Sequence, residues 1–238
     1  MSRTYTDITR LSSFPVPAAT RTYCPVSQER LWNTVCGQFE SAGLRVVSDH
    51  HQVHRKRPVF VSKAVITSPD LPDSPGETWE FAVMNSYDMT IAARVMFGKT
   101  VTVCTNGLIM AEHILRTKHT TNVWDRLPVM IDNAVKSFVA QSRQYTERQD
   151  RLKTQYTGST ELAQFALQLA QRGVLNKSKI LDFYEESKSP SFDYQTEYLC
   201  LWNLQAAFTH LVKEANPVDR PRAVIEFDRN LDQFYALA

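Results

Sequence analysis

The sequence predicts an α+β protein: a curved, mostly antiparallel sheet of about five strands with a long helix, followed by a helical C-terminal lobe. Short β-branched runs between residues 44 and 115 predict the sheet. An apolar stripe starting at Val123 predicts the long helix, and further amphipathic faces after residue 160 predict the lobe. The chain has 238 residues, 43% hydrophobic and 22% charged, a globular composition that argues against disorder. Three regions follow: an extended N-terminal arm at 1–26, an α+β core domain at 27–157 and a helical lobe at 158–238.

The arm contains Pro15, Pro17 and Pro25 among many Ser and Thr residues and shows neither a helical nor a strand period. Residues 27–42 read as the first helix. Ser27 is the N-cap, Leu31, Val35 and Phe39 form the buried face with Trp32 beside them, and Gly43 suits a left-handed exit. Residues 44–48 form a short strand, and 50–57 read as a basic turn. Residues 59–67 form the next strand. A loop at 68–76 holds three prolines. Residues 78–84 form another strand. Residues 89–97 read as a strand or a short helix, and 101–104 and 108–115 complete the sheet. In the stretch 98–122, Val101, Val103, Cys104, Leu108 and Ile109 are expected in the core and Thr105-Asn106-Gly107 in a turn.

From Asn122 the period becomes helical. Val123, Leu127, Ile131, Val135 and Val139 form one stripe, with Trp124 and Phe138, and Pro128 fits a first turn or a kink. Beyond Gln141 the stripe fades, so that end is expected to project into solvent or to carry a partner. In the lobe, Leu162, Phe165, Ala166 and Leu169 share a face that stops at Gly173. Helices follow at 178–187 and 194–214, and Phe227, Leu231 and Phe234 mark a final one.

The totals exclude several classes. No apolar run approaches the roughly 18 residues of a membrane span, and no secretory h-region is visible. A cytoplasmic protein is therefore expected, in a bacterial host. Cys24, Cys36, Cys104 and Cys200 are widely spaced, which points to small core residues rather than a disulfide framework or redox pair. No phosphate-cradling glycine loop, nucleophile elbow or zinc-protease helix is present. No enzymatic activity, cofactor or metal is expected. His51 and His54 make an H-x-x-H beside His50, but ligands to complete a tetrahedron are lacking, and a basic loop facing solvent or phosphate is the better reading. Asn85-Ser86-Tyr87-Asp88 reads as a turn, because Asn and Asp side chains bond the local backbone. Residues 165–186, with Lys177 and Lys179, read as an αα-hairpin or a helix-turn-helix.

The net charge is only +2, but the signs are segregated. Arg55, Lys56, Arg57, Phe60 and Lys63 cluster, as do Arg94, Phe97 and Lys99, and then Arg116, Lys118 and His119. Single-stranded nucleic acid is bound by cations that follow the phosphates and by rings that stack on bases. The candidate stackers are Phe60, Trp79, Tyr87 and Phe97.

Asn85-Ser86-Tyr87-Asp88, Val103-Cys104-Thr105-Asn106 and Lys118-His119-Thr120 together resemble a phage- and plasmid-encoded family known as a domain of unknown function. That family carries N-S-x-D, V-C-x-N and R-H-T motifs. Leu201-Trp202-Asn203-Leu204-Gln205-Ala206-Ala207-Phe208-Thr209 is similar to its late W-x-L-x-N-A-x-T helix. This chain departs from the pattern at Lys118, where Arg is usual, and at Ala206, where Asn is expected. The layout is also similar to phage single-stranded-DNA-binding cofactors of small RNA polymerases. The resemblance implies a phage or mobile-element protein and no catalytic residue.

The expected function is therefore largely sequence-independent binding of single-stranded DNA. It would serve phage transcription, replication or recombination and recruit a phage RNA polymerase or recombination protein. Two other readings stay open: a protein-binding inhibitor of a host enzyme or defence system, and a helix-turn-helix regulator of double-stranded DNA.

Overall fold

The computed structural model describes residues 2–5, 8–54, 56–73, 76–101, 106–191, 196–213 and 220–237. The chain divides into two compact units. The first comprises residues 1–73, 78–99 and 112–143; the second comprises 74–77, 100–111 and 144–238.

One sheet has six strands in chain order: β1 (Ser2–Tyr5), β2 (Arg45–His54), β3 (Val59–Thr67), β4 (Glu77–Ser86), β5 (Ala93–Val101) and β6 (Asn106–Thr117). The α+β class and antiparallel sheet are as the sequence predicts, with one strand more. The additional strand lies in the arm, where no strand period is visible. Ser2 to Tyr5 pair antiparallel with His54 to His51, so β1 follows the hydrogen-bonding edge of β2 rather than any pattern of its own. A short 3-10 helix, Ile8–Ser13, follows. It buries Leu11 against Val53, Phe60 and Tyr87.

The basic turn expected at 50–57 is corrected. His50 to His54 belong to β2, which runs the length of β3 with a register shift between Val46 and Ser48. Alternation in a strand sends His51 and His54 to opposite faces, so the H-x-x-H spacing cannot converge on a metal. His51 is fully buried, edge-on to Trp32 at 4.9 Å between ring centroids. Among the described residues no His, Cys, Asp and Glu cluster suits a metal ion.

Helix α1 (Gln28–Ser41) starts where the sequence places it. The Ser27 hydroxyl accepts from the Arg30 amide, and Gly43 follows the helix end at φ +74°. Helix α2 (Val123–Thr154) runs through Pro128. Both helices pack on one face of the sheet. Phe39 of α1 meets Phe81 at 4.4 Å and Phe97 at 5.8 Å. Phe138 of α2 stacks on Phe97 at 4.7 Å and meets Trp79 edge-on at 5.4 Å. Val123, Leu127, Ile131, Val135 and Phe138 are fully buried, as their spacing demands. The registers Phe60↔Asn85, Ser62↔Val83, Ala64↔Phe81 and Ile66↔Trp79 place these side chains on that same helix-covered face.

From residue 144 onward the second unit is helical: after the end of α2 come α3 (Ser159–Gln171), α4 (Ile180–Lys188), α5 (Leu201–Leu211) and α6 (Arg220–Phe234). Its core joins Phe165, Phe183, Trp202, Phe208, Phe227 and Leu231, with Phe208 stacked on Phe227 at 4.3 Å. Gly173 ends α3 at φ +73°, a conformation that other residues adopt at a cost. Helix α5 begins later than its composition predicts, after Tyr156 and Cys200 pair in an isolated antiparallel bridge. Cys200 is core, as expected, whereas Cys24 and Cys36 are only half-buried; Cys104 lies outside the described residues. Val103 lies there too, as do the side chains of Val101, Leu108 and Ile109.

The polar end of α2 does not project into solvent. Ser142, Gln149 and Leu152 are buried. Arg148 reaches Asp232 at 2.7 Å and Asp228 at 3.9 Å, and the Gln205 amide donates to Asp228 at 2.6 Å. The apolar stripe fades because the helix exchanges a hydrophobic contact for an ionic one. Burial pushes the Asp228 carboxyl up to about 6, against the pull of Arg148 and of the Gln205 hydrogen bond. The folded chain thus holds this proton more tightly than the unfolded chain does. The stability it contributes is fully present in the acid range and is lost as pH rises through about 6. Relative to Asp228→Asn, the wild type should therefore have a higher Tm at about pH 5 than at about pH 7.5, read by circular dichroism. A Tm difference between the two proteins that does not change with pH would contradict the assignment.

Candidate nucleic-acid interface

The N-S-x-D residues act as a clamp. Asn85 and Ser86 lie at the end of β4, not in a turn, and both are fully buried. The Asn85 amide donates to the Val26 carbonyl, and its oxygen accepts from the Ser86 amide at 2.8 Å. The Ser86 hydroxyl accepts from Ile91 N at 2.9 Å and donates back to Ile91 O at 3.2 Å. The Tyr87 hydroxyl accepts from the first amide of α1, Gln28 N, at 3.1 Å. Asp88 accepts from Thr90 through one oxygen and from Arg57 Nε at 2.9 Å through the other. Partial burial opposes its charge, but the hydrogen bonds from Thr90, then Arg57 and Ser86, outweigh it and hold the carboxyl below its ordinary value. With both oxygens engaged, Asp88 braces a turn.

Lys118-His119-Thr120 carries the chain from β6 into α2. His119 stacks on Tyr23 at 5.5 Å, and its carbonyl accepts from Cys24 N at 3.0 Å. The Tyr23 hydroxyl in turn donates to the Tyr87 carbonyl at 3.5 Å. Thr120 accepts from Arg126 Nη2 at 2.7 Å. The Arg30 guanidinium lies over the Trp124 ring, 3.8 Å from its centroid. These contacts gather four segments of the first unit at one corner: the arm after Arg21, the start of α1, the turn after β4 and the start of α2. Arg21, Arg30, Arg57, Lys118 and Arg126 are exposed there, against Glu29, Asp88 and Asp125. Burial pushes His119 below its ordinary value, so it is a neutral ring at neutral pH and adds no charge.

The four rings expected to stack on bases are core residues. Phe60 and Phe97 are at most 1% exposed, and Trp79 and Tyr87 are at most 7% exposed. Phe60 is packed by Phe14 and Tyr87, and Trp79 donates its indole N–H to the Pro72 carbonyl at 2.9 Å. Lys99 is also buried, its ammonium over the Trp79 ring at 4.5 Å; it is a core cation and not a phosphate contact. Lys63 and Arg94 are half-buried and alternate with residues of the helix-covered face, so they belong to the opposite face of the sheet. There Lys63 neighbours His50, which burial, and then the Lys63 charge, hold below its ordinary value. Lys56 and Arg116 are exposed, and Arg55 lies outside the described residues. Of the predicted set, the structure brings Arg57, Lys118 and His119 together. It adds Arg30, Trp124 and Arg126, which the sequence reading missed. Arg30 and Arg126 are exposed and Trp124 is half-buried at the starts of two amphipathic helices, which is little local signal.

Residues 22–220 match the family described as Domain of unknown function (DUF932). The chain belongs to the DUF932 family. No curated protein and no solved structure matches it. The DUF932 match spans the clamp, the basic corner except Arg21 and most of the helical unit, and its description assigns no activity. Among the described residues, no helix is long and apolar enough to cross a membrane.

Replacing Asn85 by Ala should cost about 1–3 kcal/mol, because it strands the buried Val26 carbonyl and Ser86 amide. Urea unfolding measures this. A variant as stable as the wild type would show that the clamp contributes nothing.

Proposed function

We propose that this protein binds single-stranded DNA by its phosphate backbone, with little sequence preference, at the basic corner of the first unit. The observation that carries this reading is the convergence of exposed Arg30, Arg57, Lys118 and Arg126 on one corner: Arg30 lies over the Trp124 ring, Arg126 bonds the Thr120 hydroxyl and Arg57 pairs with Asp88. Such a patch attracts a polyanion through counterion release, which is insensitive to base identity. The helix-turn-helix reading is less well supported. Lys177 and Lys179 sit on a 3-10 turn before α4, and α4 itself exposes Asp182 and Glu185, which would repel phosphate. Service to a phage RNA polymerase or recombination protein, and a phage origin, rest on motif resemblance alone.

Anisotropy titration of labelled single- and double-stranded oligonucleotides at several salt concentrations tests the proposal. Single strands should bind more tightly. The variant Arg57→Ala/Lys118→Ala/Arg126→Ala should lose about tenfold or more in affinity, and its log–log salt slope should flatten by about 2, at roughly 0.7 per lost phosphate contact. No binding of either form by the wild type at low salt would overturn the proposal and favour a protein-binding role. Preference for duplex would favour the regulator reading.

A further inference from the structure

We infer that Gln205 and Asp228 form a reciprocal amide–acid pair, a proton-operated latch that ties α6 to α5 while Asp228 carries its proton; this holds whether or not the first unit binds a strand.

Geometry within the helical unit carries the pair. Gln205 lies in the middle of α5 and is 1% exposed. Its Nε2 donates to Asp228 Oδ1 on α6 at 2.6 Å. Its Oε1 is buried and accepts from no described residue. A buried acceptor left without a donor is costly, and an ionised carboxylate beside it has no hydrogen to give. A protonated Asp228 has one. With Oδ1 already accepting from Nε2, the O–H on the other carboxyl oxygen can meet Gln205 Oε1. The two planar groups then exchange two hydrogen bonds and close a ring.

The charges around Asp228 permit that proton. From α2, Arg148 faces it, but its Nη2 is 2.7 Å from Asp232 and 3.9 Å from Asp228, so the guanidinium is committed chiefly to Asp232. Tyr145, also from α2, is neutral, because burial and then the charges of Asp228 and Glu77 hold its hydroxyl above its ordinary value. From α6 itself, Asp232 repels a second negative charge, and α5 contributes only the neutral amide. Burial is the largest effect and raises the Asp228 carboxyl to about 6. The Nε2 bond alone favours the carboxylate. The second bond exists only in the acid form and reverses that preference.

The latch sits beside the stacked rings of the lobe. Phe227 precedes Asp228, Phe208 lies one helical turn beyond Gln205, and the two rings are 4.3 Å apart. In the acid range two bonds hold α6 to α5 at this point. As pH rises through about 6 the proton leaves to solvent, one bond goes with it, and Gln205 Oε1 is orphaned.

Carbon-13 NMR titration of the side-chain carboxyls tests the latch, with Asp228 assigned by its absence in Asp228→Asn. In the wild type, Asp228 should titrate near 6, and the Gln205 side-chain carbonyl carbon should move over the same range as its oxygen gains and loses a donor. Gln205→Met keeps the length and removes both bonds. It should lower the proton affinity of Asp228 roughly threefold to tenfold, as expected for one net hydrogen bond lost from the acid form. If Gln205→Met instead raises that affinity, Gln205 only donates to a carboxylate and the latch is wrong. Should Gln205→Met fail to fold, the wild type decides alone: a Gln205 carbonyl signal that stays still while Asp228 titrates, or an Asp228 that titrates in the ordinary carboxyl range, overturns it.

Discussion

The first unit depends on the Asn85 carboxamide, buried at the end of β4 and bonded to the Val26 carbonyl just before α1. That bond carries a local strand end across to a distant segment. Tyr87 repeats the link by accepting from the first amide of α1, and Gln28 completes it by donating to Ser62 on β3 at 2.9 Å. A buried carbonyl left without a donor would cost on the order of the whole bond, so the start of α1 has one low-energy place to sit. Once it is seated, Phe39 meets Phe81 and Phe97, and Phe97 can stack on Phe138 of α2.

The basic corner follows from the same constraint. Arg30 reaches Trp124 only because α1 begins where the clamp holds it. Lys118 is exposed beside it because the adjacent His119 is locked on Tyr23, which is itself bonded to the Tyr87 carbonyl. The motif residues that look reactive in the sequence are therefore consumed in building the surface. The residues left to meet a ligand are ordinary arginines and a lysine on its rim.

Local signals were legible and partnered ones were not. The Ser27 cap, the Gly43 and Gly173 exits and the α2 stripe need only a few neighbouring residues, and each lies where its pattern places it. β1 has four residues and takes its identity from β2, far along the chain. His50 to His54 looked like a turn because polar residues mask a strand whose partner is β3. The end of α2 looked solvent-exposed because its counterions, Asp228 and Asp232, come from the last helix. The stacking residues failed for the same reason: interleaved rings and cations do not reveal which side of a strand faces the helices. Phe60, Trp79 and Phe97 all face inward, and Arg30 and Trp124 meet only in three dimensions.

The most direct test of the account is photo-crosslinking of an iodouracil-substituted single strand to the wild-type protein, with the attachment sites mapped by mass spectrometry. The account predicts crosslinks in peptides from residues 21–34 and 116–126, with Trp124 or Tyr23 as the attached ring. Crosslinks confined to the helical unit, or to the face of the sheet that carries Lys63 and Arg94, would contradict it.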